Sequence, residues 1–499
     1  MSFDASMLVH QLPLLTVVFF GLVGLLLETF SRSAARPVAA GEAVPARGTR
    51  AYLMHLAVAG CVVALGLTIW SAVALEPRAL YDGMLVTDRT TRFFDAVFLV
   101  AGALALLLSH AYLQEHDCEF GEFYSLVLFA VAGMMILASA TDLVTVFIGL
   151  ETMSVAIYVL VGSRLKAVRS AEAALKYYLV GAFAAAILLY GIALVYGATG
   201  TTSLRGIAAQ VGQVSGNPVF VIGMVLLLCG LAYKVAAVPF HMWTPDAYEG
   251  APTPVTAFMA AGVKAAAFAA LLRVLTTAFN LEAVKIGTAG WVTVLQVLAM
   301  LTMTLGNIAA LRQENVKRLL AYSAISHAGY VLVGVVAVGV VGKEAEAPVL
   351  FYLLSYTFSV IGAFGVVAWL GSRNDERLMI DDWAGLSARH PMAALAMTLF
   401  LLSLAGIPPT AGFFGKFYIL RAATMDPQLY PLVVIAVLNS VVAAFYYLKV
   451  IMAMYFRELA RDPRPQRSAA TVAALVIAAL LVLQMGLMPG MYLAAAIGH

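Results

Sequence analysis

Gly230-Leu-Ala-Tyr-Lys-Val-Ala-Ala-Val-Pro239 sets a lysine and then a proline in the middle of an apolar segment covering residues 217–247. Gly406-Ile-Pro-Pro409 interrupts a second such segment, residues 391–424. Proline removes a backbone donor and clashes with the preceding turn. Inside a bilayer the freed carbonyls must find protein or water. Discontinuous helices at matching places in two halves of a chain point to an ion pathway.

The rest of the sequence carries the same reading. The chain has 499 residues, 63% hydrophobic and 11% charged, with mean hydropathy +0.93. A soluble protein would carry about 25% charged residues. Apolar runs of ~20 residues recur throughout. The fold class is therefore an all-α polytopic membrane protein, a single membrane domain over residues 1–499 with no separate soluble domain. Net charge of +3 gives no nucleic-acid signal. Cys61, Cys118 and Cys229 lie far apart in apolar contexts, so neither a metal site nor an iron–sulfur cluster is expected. No dinucleotide or P-loop motif occurs. Redox or nucleotide chemistry would have to act on a partner. Met1 to Met7 holds no positive charge, and Leu8–Leu27 is long enough to span, so a cleaved leader is not expected.

About fourteen spans are predicted, over residues 8–29, 52–75, 93–113, 120–139, 142–162, 171–196, 217–247, 254–278, 290–311, 319–341, 349–371, 391–424, 429–456 and 469–493. Alternating loops sort the basic residues unevenly. One side takes 17, including Arg36, Arg47, Arg50, Arg164, Lys166, Arg169, Lys317, Arg318, Arg373, Arg457, Arg461 and Arg464. The other takes 8, including Arg78, Arg89, Arg92, Arg273 and Arg421. The positive-inside rule places the first group in the cytoplasm. Both termini are then expected outside, on the periplasmic side.

Lys176-Tyr-Tyr-Leu-Val-Gly-Ala-Phe183 in the sixth span is similar to Phe351-Tyr-Leu-Leu-Ser-Tyr-Thr-Phe358 in the eleventh, and a broken span follows each. The offset of five spans is odd, so the two units have opposite orientation. The expected organisation is three leading helices (8–113), a first inverted repeat (120–278), a second (290–456) and a fourteenth helix (469–493).

Lys176, Lys234, Lys264, Lys416 and Lys449 lie in these apolar segments with Glu151. An ionisable group at the bilayer centre costs roughly 2.5–3.5 kcal/mol on insertion scales, so a row of them points to use. With no cofactor motif, the use that fits is proton transfer. Burial makes a lysine release its proton more easily, and a nearby carboxylate opposes this. Glu151 is the expected tuning partner of Lys234. Small residues around Lys264, and Gly412 and Gly415 beside Lys416, are expected to leave space for water. Lys416 is the candidate far-side carrier. Lys449 lies nearer the cytoplasmic end, where snorkelling competes with proton transfer. Lys176 stands one turn after Glu172, so intrahelical pairing competes with proton uptake. His327 shares a helical face with Ser323, Ser326 and Tyr330 and is a candidate relay. His241, just past the first break, is a candidate link between Lys234 and Lys264. Asp142 is expected to cap its helix. Moving a proton against ~150–200 mV costs about 3.5–4.6 kcal/mol. A roughly thousandfold swing in a lysine's proton affinity matches that.

The segments Leu150-Glu-Thr-Met-Ser154, Lys234 to Pro254, Asn315 to Tyr330 and Ala405 to Lys416 resemble the antiporter-like subunits of respiratory complex I, the NADH:quinone oxidoreductase. The resemblance covers nearly the whole chain. It implies fourteen helices with inverted repeats and broken seventh and twelfth helices. It implies proton-channel roles for Glu151, Lys234, Lys264 and Lys416. FMN, iron–sulfur clusters and quinone are expected in partner subunits and no cofactor in this chain. The expected neighbours are a subunit M-like pump on one side and small subunits, K-, J-, A- and H-like, towards the quinone module. The expected location is a bacterial inner membrane. The chain ends soon after the fourteenth span, which sets it apart from family members with a long lateral helix. Rival readings are a subunit of a multisubunit Na+/H+ antiporter or membrane-bound hydrogenase, a solute symporter, and a structural spacer.

Overall fold

The computed structural model describes residues 5–34, 50–164, 166–287, 290–372, 376–458 and 465–497. Among them, 12 helices are long and apolar enough to cross a membrane. Two shorter apolar helices, Pro218–Lys234 and Pro391–Ala405, are the first halves of the broken seventh and twelfth spans. Their second parts are Trp243–Gly250 and Ala411–Ala423. The expected fourteen segments are recovered. The last one departs from expectation: Ala469–Leu487 ends at Met488, and a separate helix, Pro489–Ile497, follows. Arg36, Arg47, Arg373, Arg461, Arg464 and the terminal residues of the topology reading lie outside the described residues.

The two breaks are built alike. Ala237 N–H donates to Ala232 O and Ala236 N–H to Tyr233 O; Ile407 N–H donates to Leu402 O and Gly406 N–H to Ser403 O. Each set is a Schellman cap, whose penultimate residue must be left-handed. Ala236 has φ 61° and Gly406 φ 85°. Glycine reaches that region without penalty, whereas alanine does not. The freed carbonyls find partners: Trp243 Nε1 donates to Tyr233 O at 3.2 Å, and Lys416 Nζ to Ala405 O at 2.9 Å. Val238 N–H donates to Thr302 Oγ1 at 2.9 Å, pinning the first break to the ninth span, Trp291–Leu311.

The sorted loops lie on two opposite faces. On one, Arg50 pairs with Glu28, Lys166 with Asp117, Arg164 with Glu376, and Arg318 with Asp246 and Glu249. On the other, Arg273 pairs with Asp88, Thr90 donates to Glu346, and Asp142 bridges to Ser203. Asp142 also caps its helix through Val144 N–H, as expected. The eighth, tenth and eleventh spans, Thr253–Ala278, Val316–Val341 and Glu346–Leu370, are almost wholly buried and form the centre. The first, second and thirteenth spans expose long apolar faces.

The basic-rich face holds a buried charged cluster that the sequence reading did not single out. Arg164 pairs with Glu376, to which the Tyr112 hydroxyl donates at 2.8 Å. Lys317 is fully buried and donates to the carbonyls of Glu249 and Ala251 at 2.9 and 2.8 Å. Burial pushes the Glu376 carboxyl up, but Lys317 and Arg164 hold it below the usual carboxylate range. His116 packs against Tyr112 with ring centroids 4.1 Å apart and the planes tilted by 36°, and neither of its ring nitrogens has a partner. Burial, then Arg164, outweigh the opposing Glu376, with Lys317 adding to them, and bring its pKa down to about 4. The unfolded value is about 6.5. A base whose folded value is depressed contributes full stability above its unfolded pKa, and loses it as pH falls towards the folded one. His116→Phe should therefore match wild type near neutrality and outlast it in acid. The thermal midpoints of the two proteins should separate between about pH 6.5 and about pH 4. A constant gap across that range would remove His116 as the titrating group.

Candidate functional site

Lys234 is 2% exposed at the end of the first half-helix. Its Nζ donates to Ser154 Oγ at 2.8 Å and to Tyr158 OH at 3.3 Å. Both acceptors lie on the fifth span, Leu143–Val161, one and two turns past Glu151 on the same face. No ion pair closes between Glu151 and Lys234, so the direct pair expected from sequence is replaced by two hydroxyls. Glu151 Oε1 is buried without a partner, and the Lys234 charge still acts on this carboxyl. Ser154 and Tyr158 were missed; their +3 and +7 spacing from Glu151 was the available signal. Tyr158 packs edge-on against Tyr177, which stacks on Trp243 at 4.6 Å. A polar cavity of about 230 Å³, lined by Arg169, Glu172, Lys176, Asp246 and Glu249, lies among the residues that flank Tyr177 and Trp243 in sequence.

Lys264 is 3% exposed and donates to the carbonyl of Ala324. It directly follows a π-helical turn, Met259–Val263, inside the eighth span. Such turns cluster at functional sites, and nothing in the sequence marked this one. The small residues around Lys264 are packed rather than open: Ala265, Ala266 and Ala267 are at most 1% exposed. Lys416 is 6% exposed and lies over the Tyr330 ring, 4.8 Å from its centroid. Its neighbouring glycines also serve close packing, against expectation. A Cβ on Gly412 would fall 1.9 Å from Ser403 O, and one on Gly415 2.8 Å from Ser355 Oγ.

His327 stands between these two lysines. Nδ1 meets Tyr352 OH at 2.7 Å and Nε2 meets Tyr447 OH at 3.2 Å. Tyr447 OH in turn meets Ser323 Oγ. Tyr330 OH donates to Ala436 O and meets Ser440 Oγ, each at 2.9 Å. Lys416 and Lys264 are the charges that act on His327. Of the polar stripe read from sequence, Ser323 and His327 join one hydroxyl–imidazole chain, Tyr330 bonds separately to the thirteenth span, and Ser326 Oγ has no partner. Tyr352 and Tyr447 complete that hydroxyl–imidazole chain from the eleventh and thirteenth spans. No helical spacing relates them to His327, so they carry no local signal in the sequence.

The remaining candidates stand apart. Lys176 is half exposed and bonds to Glu172 at 2.7 Å and Asp246 at 3.0 Å, in a surface ion lattice rather than at membrane depth. Lys449 is half-buried, and no hydrogen bond to it is seen among the described residues. His241 bonds to neither Lys234 nor Lys264, and its Nδ1 has no partner. No group of three or more metal-ligating His, Cys, Asp or Glu occurs among the described residues.

A family described as NADH:quinone oxidoreductase/Mrp antiporter, TM, matches residues 140–443, which takes in every buried lysine above. NADH-quinone oxidoreductase subunit N 1 of Sorangium cellulosum is 56% identical over 81% of this chain and 81% of its own length. The chain belongs to the subunit N family of NADH-quinone oxidoreductases. Respiratory complex I from Thermus thermophilus supplies a solved chain of similar fold, with TM-score 0.78, 34% identity, and coverage of 96% of this chain and 98% of that one. A chain of the Mrp complex from a Dietzia species has TM-score 0.81 at 22% identity, covering 98% of this chain and 96% of its own, and shares the fold alone. Subunit N membership therefore separates this chain from the antiporter reading that the shared fold left open.

Proposed function

We propose that this subunit N conducts protons across a bacterial inner membrane as part of an NADH:quinone oxidoreductase. The observation that carries this reading is three lysines, each at most 6% exposed, on broken or π-bulged helices. His327, bonded to the Tyr352 and Tyr447 hydroxyls, lies on the span whose Ala324 carbonyl holds Lys264 and whose Tyr330 ring underlies Lys416. Glu151 and Lys234 form the cytoplasmic-side element, Lys264 and His327 the middle, and Lys416 the far-side carrier. His241, Lys176 and Lys449 are secondary. Lys234 alternates between the Ser154–Tyr158 hydroxyls and Glu151: near the carboxylate it keeps its proton, and away from it the proton leaves. Neutral imidazole carries a proton in on one nitrogen and out on the other.

The energy comes from redox chemistry in partner subunits, which hold FMN, iron–sulfur clusters and quinone. A subunit M-like pump on one side and K-, J-, A- and H-like subunits on the other are the proposed neighbours. Both termini lie on the periplasmic side, and the five-helix units at 120–278 and 290–456 act as inverted half-channels. The alike Schellman breaks support that division.

Glu151→Gln is the specific test of the switch. It removes the tuning charge while keeping size and hydrogen bonding. Pumping should fall, and by less than on loss of Lys234. A double-mutant cycle with Lys234→Ala should be non-additive, because the two residues act as one unit. Additive losses in proton translocation by the assembled complex would mean that Lys234 and Glu151 work independently.

A further inference from the structure

A second polar island lies far from the lysine row, on the face assigned as outer. Asp95, on the third span Arg89–Glu115, is 8% exposed, and its Oδ1 has no hydrogen-bond partner. It lines a cavity of about 20 Å³ together with His10, Thr87, Thr91 and Ser139. That volume suits a single water. His10, near the start of the first span, meets Thr87 Oγ1 through Nδ1 at 3.0 Å. A buried carboxylate oxygen without a partner is costly unless it is protonated or hydrated.

The charged groups facing Asp95 are Asp88 and Arg92 from its own helix end and Arg273 from the eighth span. His10 is the titratable group lining the cavity from the first span, and the fourth span contributes Met135 and Ser139. Arg273 is spoken for. It bonds both Asp88 oxygens at 2.8 and 3.0 Å, Thr91 Oγ1 at 2.9 Å and Ala138 O at 2.9 Å. Arg92 Nε is itself without a partner. Asp88 is thus neutralised by a two-pronged arginine, while Asp95 faces a small cavity with room for one water. Arg273 lies nine residues past Lys264 on one helix, about 13 Å nearer this face.

We infer that Asp95 is a proton-binding site that exchanges with the outer water through the cavity and His10, and that it serves this subunit as a release group. The proton forms an O–H bond at the Asp95 carboxyl and leaves to water by way of the His10 ring. Binding of the proton stands on the local geometry alone, whereas the release role rests on the conduction proposed above.

The experiment uses the assembled complex in vesicles that expose the outer face. Infrared difference spectra are recorded after a pH step applied outside only. Wild type should show a carboxylic-acid band that is missing in Asp95→Asn and whose intensity follows outer pH. Above its midpoint the protonated fraction should fall about tenfold per pH unit. His10→Phe should retain the band and slow its response several-fold. Asp95→Asn should lower protons released per NADH, and Asp95→Glu should restore them. Lys234→Ala should leave the band unchanged, so that failure of the conduction reading and failure of this one are separable. Absence of any Asp95-dependent band overturns the binding site, as does a band that responds only to cytoplasmic pH. Wild-type release in Asp95→Asn with the band intact in wild type overturns the release role.

Discussion

Lys234→Ala cuts coupled proton translocation by about tenfold or more, while the complex still assembles. A positioned proton-transfer group contributes roughly 10²–10⁴ in rate, and this buried lysine bonds two hydroxyls while its charge acts on the Glu151 carboxyl. Deletion leaves Ser154 and Tyr158 without their donor and Glu151 without its counter-charge. NADH:quinone turnover falls with pumping if the two are tightly coupled. The measurement is proton pumping and quinone reduction at equal amounts of assembled complex. Wild-type values for both would take Lys234 out of the pathway.

Lys416→Ala gives the second large effect, and Lys449→Met a small one. Lys416 is buried at the second break, bonded to Ala405 O and set over Tyr330, which belongs to the face that carries His327. Lys449 is half-buried, shares its helix with Tyr446 and Tyr447, and takes no part in the network around them. A neutral methionine keeps its length and packing. Pumping should drop several-fold in the first variant and stay near wild type in the second. The reverse pattern, at matched assembly, would route protons along the thirteenth span.

The sequence displayed whatever is periodic or breaks a period. Fourteen apolar runs, two proline breaks and the lysines within them follow from local composition, and all are present in the fold. Among the described residues, ion pairs join loops assigned to the same side, because loops on one face share that face whatever the helix packing. Legibility stopped where partners come from different spans. Tyr352 and Tyr447 reach His327 across three helices, and no spacing rule predicts that. The glycines beside Lys416 were read as space for water because small size alone does not tell a void from a close approach. The Glu172 pairing weighed for Lys176 is present, because four residues along a helix share a face, but Asp246, its second partner, comes from another helix that no local spacing indicates. The π-turn before Lys264 left no trace, since Met-Ala-Ala-Gly-Val is compatible with an ordinary helix.

Lys264 and Lys416 differ from Lys234 in what balances them. Neither has a hydrogen bond or ion pair to a carboxylate; each donates to a peptide carbonyl, Ala324 O and Ala405 O respectively. Ala405 is the last residue of Pro391–Ala405, and a helix C-terminus concentrates about half a negative charge. The anion facing Lys416 is therefore a piece of main chain, which no side-chain replacement can delete and which moves only when the helix does. Tilting or rewinding that half-helix changes the electrostatic grip on the ammonium, and loss of the proton slackens the hold on the helix end. At the second break, mechanical displacement and charge are two readings of one coordinate.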